Sequence, residues 1–224
     1  MRNFSRRRLL EEIKCFVEKD VRLLTILDPL FNADKTTYMQ VLRDLHDAGY
    51  NGKLSLQCHF SYLNAEFLEL VREFDVCLEF GLQSVIPCEG KAIGRTNNMK
   101  KVGEFMVELT RQGIYYKVDL IYGLPAQTLD SFRSSVKFCR EHGVPVLRCW
   151  PLMLLRGTKL ATVEEREKWG FRENNGTPPV VVSSNSFSEK DWERMRTLSD
   201  ELAREYDPVH KRWADAHFRG NQHD

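Results

Sequence analysis

The sequence predicts an α/β protein built on a parallel sheet, and three observations carry that prediction. Short apolar, strand-like runs alternate five times with segments whose apolar residues recur at helical spacing. The connections between them are short, as parallel βα units wound right-handed require. One run, Asp119-Leu120-Ile121-Tyr122-Gly123-Leu124-Pro125, carries an acid in an otherwise apolar strand and stops at Gly-Leu-Pro. In α/β proteins the carboxyl end of such a strand is where ligands sit. A closed barrel and an open sheet both fit the rhythm.

Each element follows from its own residues. Residues 5–19 predict a helix that Ser5 caps, with Leu9, Leu10, Ile13, Phe16 and Val17 in one stripe. A strand over 23–28 ends at Asp28-Pro29. Tyr38, Val41, Leu42 and Leu45 mark a helix that Gly49 ends, and 53–59 reads as the next strand. Asn64 caps a helix bearing Phe67, Leu68, Val71 and Phe74, and a strand spans 76–83. After a Gly- and Asn-rich loop, Val102, Phe105, Met106 and Leu109 line a helix closed by Gly113. The strand 115–122 follows, with Thr128 capping a helix of Phe132, Val136 and Cys139 that stops before Gly143. The fifth strand covers 144–152.

From Gly157 the rhythm breaks. Val180 to Val182 suggests one more strand. Ser188 and Asp191 form a capping box for a helix over about 188–206, bearing Trp192, Met195, Leu198 and Leu202. The last fifteen residues read as a frayed polar tail. The expected division is a barrel core over 1–160 and a C-terminal extension over 161–224.

Bulk composition narrows the function classes. The chain has 224 residues, 42% hydrophobic and 29% charged, with net charge +1. That is ordinary for a globular protein and gives no broad field toward nucleic acid or an anionic membrane. No apolar run approaches the roughly 18–20 residues that span a bilayer. The Arg-rich start meets Glu11 and Glu12 too soon for a signal or transit peptide, so a cytoplasmic location is expected. Six cysteines, at 15, 58, 77, 88, 139 and 149, are too far apart for a local zinc or iron–sulfur motif. They are expected to be reduced thiols, several filling the core.

Strand parity collects the polar residues. Side chains two apart share a face, so Glu79, Gly81 and Gln83 lie together, as do Lys117, Asp119, Ile121 and Gly123, and Gln57 with His59. If these faces point inward, Asp28, Gln57, His59, Gln83 and Asp119 line the top of the barrel. Unpaired buried polar groups cost about 1–3 kcal/mol each, so the cluster wants a ligand or mutual pairing. The plainer alternative is that each residue ends a strand near water. Gly81 and Gly123 leave room for close approach to the backbone, and Arg95 after Gly94 could clamp a carboxylate or phosphate. Residue chemistry alone reaches a polar site at the strand ends and names no reaction.

The runs Leu78-Glu79-Phe80-Gly81-Leu82-Gln83-Ser84, Ile93-Gly94-Arg95 and Asp119 to Pro125 with Gln127-Thr128, and the later Leu154-Leu155-Arg156-Gly157-Thr158, together resemble the radical SAM superfamily. The pieces recur in order from about residue 20 to 160. The similarity is greatest to its cobalamin-associated and oxygen-independent coproporphyrinogen oxidase-like groups, the former through Asp28-Pro29-Leu30-Phe31-Asn32. The resemblance implies a (βα)6 partial barrel binding S-adenosylmethionine (SAM) across the strand tops. It puts Gln83 and Asp119 on the ribose hydroxyls, Arg95 on the methionine carboxylate, and backbone around Leu124 and Met153 against the adenine. A family acid on the second strand falls at Gln57, so that contact is altered.

One departure is large. The family's chemistry needs Cys-x3-Cys-x2-Cys to hold a 4Fe–4S cluster, which cleaves SAM reductively, and the motif occurs nowhere in this sequence. Residues 1–5 resemble the stretch just after those cysteines. The alignment therefore leads us to expect a truncated member, missing the family's first strand, the cluster ligands and the cobalamin-binding domain. Three origins stay open: a late start, one half of a split enzyme whose partner chain supplies the cluster, or a non-catalytic SAM-binding or scaffold remnant. The isolated chain is expected to be unable to cleave SAM. Its strand at 23–28 would have an open edge, covered by the helix at 5–19 or by self-association. The small-molecule substrate is not specified.

Overall fold

The computed structural model describes residues 5–216. Five strands form one all-parallel sheet whose neighbours follow chain order: β1 (Leu23–Ile26), β2 (Lys53–Cys58), β3 (Asp75–Gln83), β4 (Tyr115–Tyr122) and β5 (Val146–Pro151). An unbroken order means that every crossover returns on the same side, so the helices pile on one face of the sheet. They are α1 (Arg6–Glu18), α2 (Lys35–Asp47), α3 (Ala65–Val71), α4 (Pro87–Ala92), α5 (Met99–Arg111) and α6 (Leu129–Glu141). The sheet does not close, which agrees with the partial α/β barrel expected.

The helix-facing positions of the strands make the core. Val76, Leu78, Phe80 and Leu82 of β3 and Tyr116, Val118, Leu120 and Tyr122 of β4 are all buried. Phe80 stacks on Phe60 at 4.0 Å. Each such side chain contributes roughly 1.5–3 kcal/mol by leaving water, and together they fix the register of the inner face. The caps form as the sequence predicts: Ser5, Asn64 and Thr128 each accept a backbone N–H at their helix starts.

Several elements differ from the expectation. The Gly- and Asn-rich loop contains α4, started by Pro87 at a position where a missing N–H costs nothing. The strand at Val181–Ser183, β7, is not part of the parallel sheet. It pairs antiparallel with β6 (Arg172–Glu173), which follows α7 (Val163–Trp169). The last helix, α8, runs from Glu189 to Asp215, well past residue 206. Residues 210–215 are helical because His210 and Trp213 stack on Tyr115, so the tail does not fray there. Residues 217–224 lie outside the described residues, as do 1–4 of the N-terminal stretch.

α8 does two jobs. Its first half buries Trp192, Met195, Ser199 and Leu202, and Ser199 Oγ donates to the Cys149 carbonyl of β5, an edge strand. Its second half crosses the inner face at the amino ends of the strands. The opposite edge stays open: α1 packs on α2 through Arg6 and Asp44 at 3.0 Å, while Leu23 and Thr25 of β1 remain exposed. No helix among the described residues is long and apolar enough to cross a membrane.

Candidate functional site

The inner face carries the polar residues in the parity expected. Register places Gln57 beside Glu79 and Glu79 beside Lys117, then Gly81 beside Asp119 and Asp119 beside Arg148. Lys117 Nζ meets Glu79 at 2.8 Å, and Ser55 Oγ also donates to that carboxylate. This buried pair occupies the middle of the face. Above it, at the carboxyl ends, are the residues of the candidate site.

Gln83 sits on a kink. The β3–β4 register slips between Gly81 and Gln83, and Gln83 adopts a left-handed backbone with φ of 68°. That conformation costs a non-glycine residue roughly 1–2 kcal/mol. The kink turns the side-chain amide back over Gly81, where a Cβ would come within 2.5 Å of Gln83 Nε2. A side chain at 81 would have to displace the neighbouring amide. Gln83 Oε1 is buried and without a hydrogen-bond partner among the described residues. Arg95 is drawn to the same place, its Nη1 donating to the Gly81 carbonyl at 2.7 Å. Burial lowers the Arg95 pKa, and burial with the Arg95 charge lowers that of His59. Arg95 keeps further donors for a carboxylate.

Asp119 stands on the adjoining strand. Burial raises its pKa, opposed by a hydrogen bond from Trp150 Nε1 to Oδ1 at 3.0 Å. Trp150, on the inner face of β5, is 49% exposed. Gln57 is half-buried, and its side chain makes no hydrogen bond among the described residues. Gln83, Arg95 and Asp119 thus come together around Gly81, with His59 electrostatically close to Arg95.

Asp28 is placed differently from the expectation. Its Oδ1 accepts the Leu30 N–H at 3.1 Å and shapes the turn after β1. Asn32 then locks this loop to the end of β2 by pairing with both the N–H and the carbonyl of His59. Asp28 is accounted for as a turn former. The Leu124 side chain is wholly buried, so only its backbone borders the turn after β4. Leu152 N–H donates to the Tyr122 carbonyl at 2.8 Å, which brings the half-exposed Met153 alongside that turn.

Two residues outside the strands hold the site in shape. Gln127 Oε1 accepts from Gly123 and Leu124 N–H at 2.7 and 3.2 Å, and its Nε2 donates to Glu89 and to the Ile121 carbonyl. Glu89, fully buried, also accepts from Ser84 Oγ at 2.6 Å. A carboxylate on α4 thereby ties the turn after β3 to the turn after β4. Glu89 and Trp150 escape sequence reasoning. Glu89 lies in a helix of six residues, too short for periodicity, and a tryptophan near a strand end reads as core.

A buried, orphaned acceptor at Gln83, a carboxylate on the next strand and a free amide at Gln57 suit a ligand with several hydroxyls and amines, such as the nucleoside of SAM. For an iron–sulfur cluster the described residues group no comparable set of ligands. Cys58, Cys77, Cys139 and Cys149 are buried, with thiol pKa values pushed up by burial, those of Cys77 and Cys139 to about 12. No three His, Cys, Asp or Glu among the described residues are grouped to hold a metal.

Comparison with known proteins gives a fold. No family model and no curated protein sequence matches. Among solved structures, the chain is similar to the radical SAM methyltransferase TsrM from Kitasatospora setae, determined with cobalamin and a [4Fe-4S] cluster bound. The TM-score is 0.65 at 18% identity over 83% of this chain. The radical SAM enzyme coproporphyrinogen III oxidase (HemN) from Escherichia coli gives 0.61 at 15% identity over 89% of this chain. Elp3 from Methanocaldococcus infernus gives 0.55 at 15% identity over 71%. The chain spans 40% of the TsrM chain, 45% of the HemN chain and 44% of the Elp3 chain. The architecture, a parallel sheet in chain order with helices on one face, is the fold of these radical SAM structures.

Proposed function

We propose that this protein is a radical SAM family member that binds S-adenosylmethionine at the strand tops. Gln83 Oε1 and the Asp119 carboxylate accept the ribose hydroxyls, Arg95 meets the methionine carboxylate, and the backbone at Leu124 and Met153 flanks the adenine, with Gln57 nearby. The observation that carries this reading is the buried, unpartnered Gln83 Oε1, held by a strained backbone beside Asp119. A fold that maintains strain and an unsatisfied acceptor in one place is keeping that place for a ligand.

Beside a reduced 4Fe–4S cluster, bound SAM is a source of a carbon radical. We infer that the cluster's thiolates come from a partner chain or from sequence beyond these residues, because the cysteines here are dispersed and mostly buried. The chain's own part is to bind and orient SAM, and alone it does not cleave it. A cytoplasmic setting, which keeps thiols reduced, suits its free cysteines. A second reading, a non-catalytic SAM-binding or scaffold protein, draws on the internal partners that Arg95 and Asp119 already have.

Calorimetric titration with SAM tests the binding. Saturable binding that weakens about 10–100-fold in Asp119→Ala, the worth of a charged hydrogen bond, is the expected result. No binding by the folded wild type would leave only the scaffold reading. Anaerobic reconstitution with iron and sulfide tests the rest: a 4Fe–4S spectrum from this chain alone would overturn the inference about the thiolates.

A further inference from the structure

A second concavity lies apart from the strand tops, between the segment that follows β5 and the β6–β7 hairpin. Its volume, about 920 Å³, is in the range of small-molecule sites, roughly 300–1,000 Å³. Three ordered pieces wall it. The turn at 155–158 is closed by Thr158, whose N–H and Oγ1 both bond the Leu155 carbonyl, with Gly157 supplying a φ of 81°. Thr162 caps α7. The hairpin loop is held by Asn174 Oδ1, which accepts from Gly176 and Val180 N–H at 3.1 and 3.0 Å, and by the Leu154 N–H on the Pro179 carbonyl at 2.9 Å.

The chemistry of the lining is lopsided. Arg156, Lys159 and Arg166 face a single carboxylate, Glu173. Arg166 pairs with one Glu173 oxygen, and the other, Oε2, is buried without a partner among the described residues. Lys159 lies 3.3 Å from Glu165, a carboxylate that Lys168 and the Trp169 N–H also use. Arg156 has no hydrogen-bond or ion-pair partner among the described residues. Leu155, 49% exposed, and Pro178 and Pro179 supply an apolar wall.

We propose that this cavity binds a small organic anion with an apolar body and an amino or hydroxyl donor. The anionic group meets Arg156 and Lys159, the donor meets the Glu173 carboxylate, whose side chain is 28% exposed, and the body lies on Leu155 and the two prolines. None of the lining residues belongs to the strand-top group.

Amide NMR titration of the whole chain with para-(aminomethyl)benzoate tests the proposal, with benzylamine and benzoate as partial probes. The full probe should shift amides at 154–162 and 173–179 and bind more tightly than either partial probe. Arg156→Gln should weaken it about fivefold, as loss of one exposed ion pair does, and Glu173→Gln should reduce it to the level of benzoate. Arg156 is exposed, so that variant keeps the fold even if Glu173→Gln does not. Benzylamine binding as tightly as the full probe, shifts centred on Gln83 and Asp119, or no saturable shift up to about 10 mM would each overturn the proposal.

Discussion

The two ends of the inner face are built on opposite terms. At the amino ends of the strands Lys53 and Asp75 are partnered and α8 closes over them. Lys53 pairs with Asp75 at 3.4 Å, Trp213 Nε1 donates to Asp75 at 2.8 Å, and Lys53 Nζ donates to the Trp213 carbonyl. Tyr115 stacks against both His210 and Trp213, and higher up, level with Asp119, Arg148 reaches Asp207 of α8 at 3.3 Å. At the carboxyl ends, Gln83 keeps an orphaned acceptor, Gln57 a free amide and Asp119 a carboxylate with one indole partner. Polar groups that satisfy one another stabilise, and polar groups left waiting bind. The lower face therefore serves stability, and the upper face is the one on which the proposed binding rests, the division of labour seen in parallel barrels generally.

That contrast can be broken from either end. The largest effect is expected at the bottom: Trp213→Ala removes the stacked ring and one donor to Asp75, and should lower unfolding free energy by about 3 kcal/mol in urea. SAM affinity, measured on the still-folded variant, should change little. A comparable loss of affinity would mean that the two ends are not independent. At the top, Gly81→Ala puts a Cβ on the Gln83 amide. The obstacle is the end of a flexible side chain, so stability should hardly move while SAM binding falls about tenfold, roughly 1.4 kcal/mol. Trp150→Phe keeps the ring and removes the N–H. A loss of about 1 kcal/mol in SAM binding is expected, together with a further rise in the Asp119 pKa, readable by carboxyl NMR.

The smallest effect concerns pH. Because burial raises the Asp119 pKa in the folded state, its favourable contribution is complete below the unfolded value of 3.8 and is lost as pH rises through the folded value. Asp119→Asn should therefore gain stability relative to wild type between pH 4 and 7 while losing SAM affinity. A variant that loses stability at pH 7 would show that Asp119 is a structural residue. The upper end of the sheet would then resemble the lower.

Much of the scaffold is legible before any coordinates, because strand parity and helix caps act locally. Gly81 and Asp119 share the inner face that alternation predicts, whereas Gln83 comes to it through a register slip, and Thr128, Asn64 and Ser188 cap where expected. What is not legible depends on contacts between distant residues. The Glu89 and Gln127 clamp joins positions 38 apart, and Trp150 reaches Asp119 across 31. Asp28 misleads for the opposite reason: its acid is used two residues on, in its own turn. The reach of α8 to residue 215 rests on aromatic stacking against a strand far upstream, which no helical pattern encodes.

The closure by α8 also sets an order of events during synthesis. Lys53 and Trp213 are 160 residues apart, and all five strands leave the ribosome before the helix that completes their inner face. Until then Lys53, Asp75 and Arg148 remain hydrated, and the sheet has to persist with its lower face wet. Long-range closure of this kind is a slow step in folding. In pulse-labelling hydrogen exchange, the amides of β3 and β4 should gain protection before those of the second half of α8, making this final contact the one by which the chain registers that its sheet is already assembled.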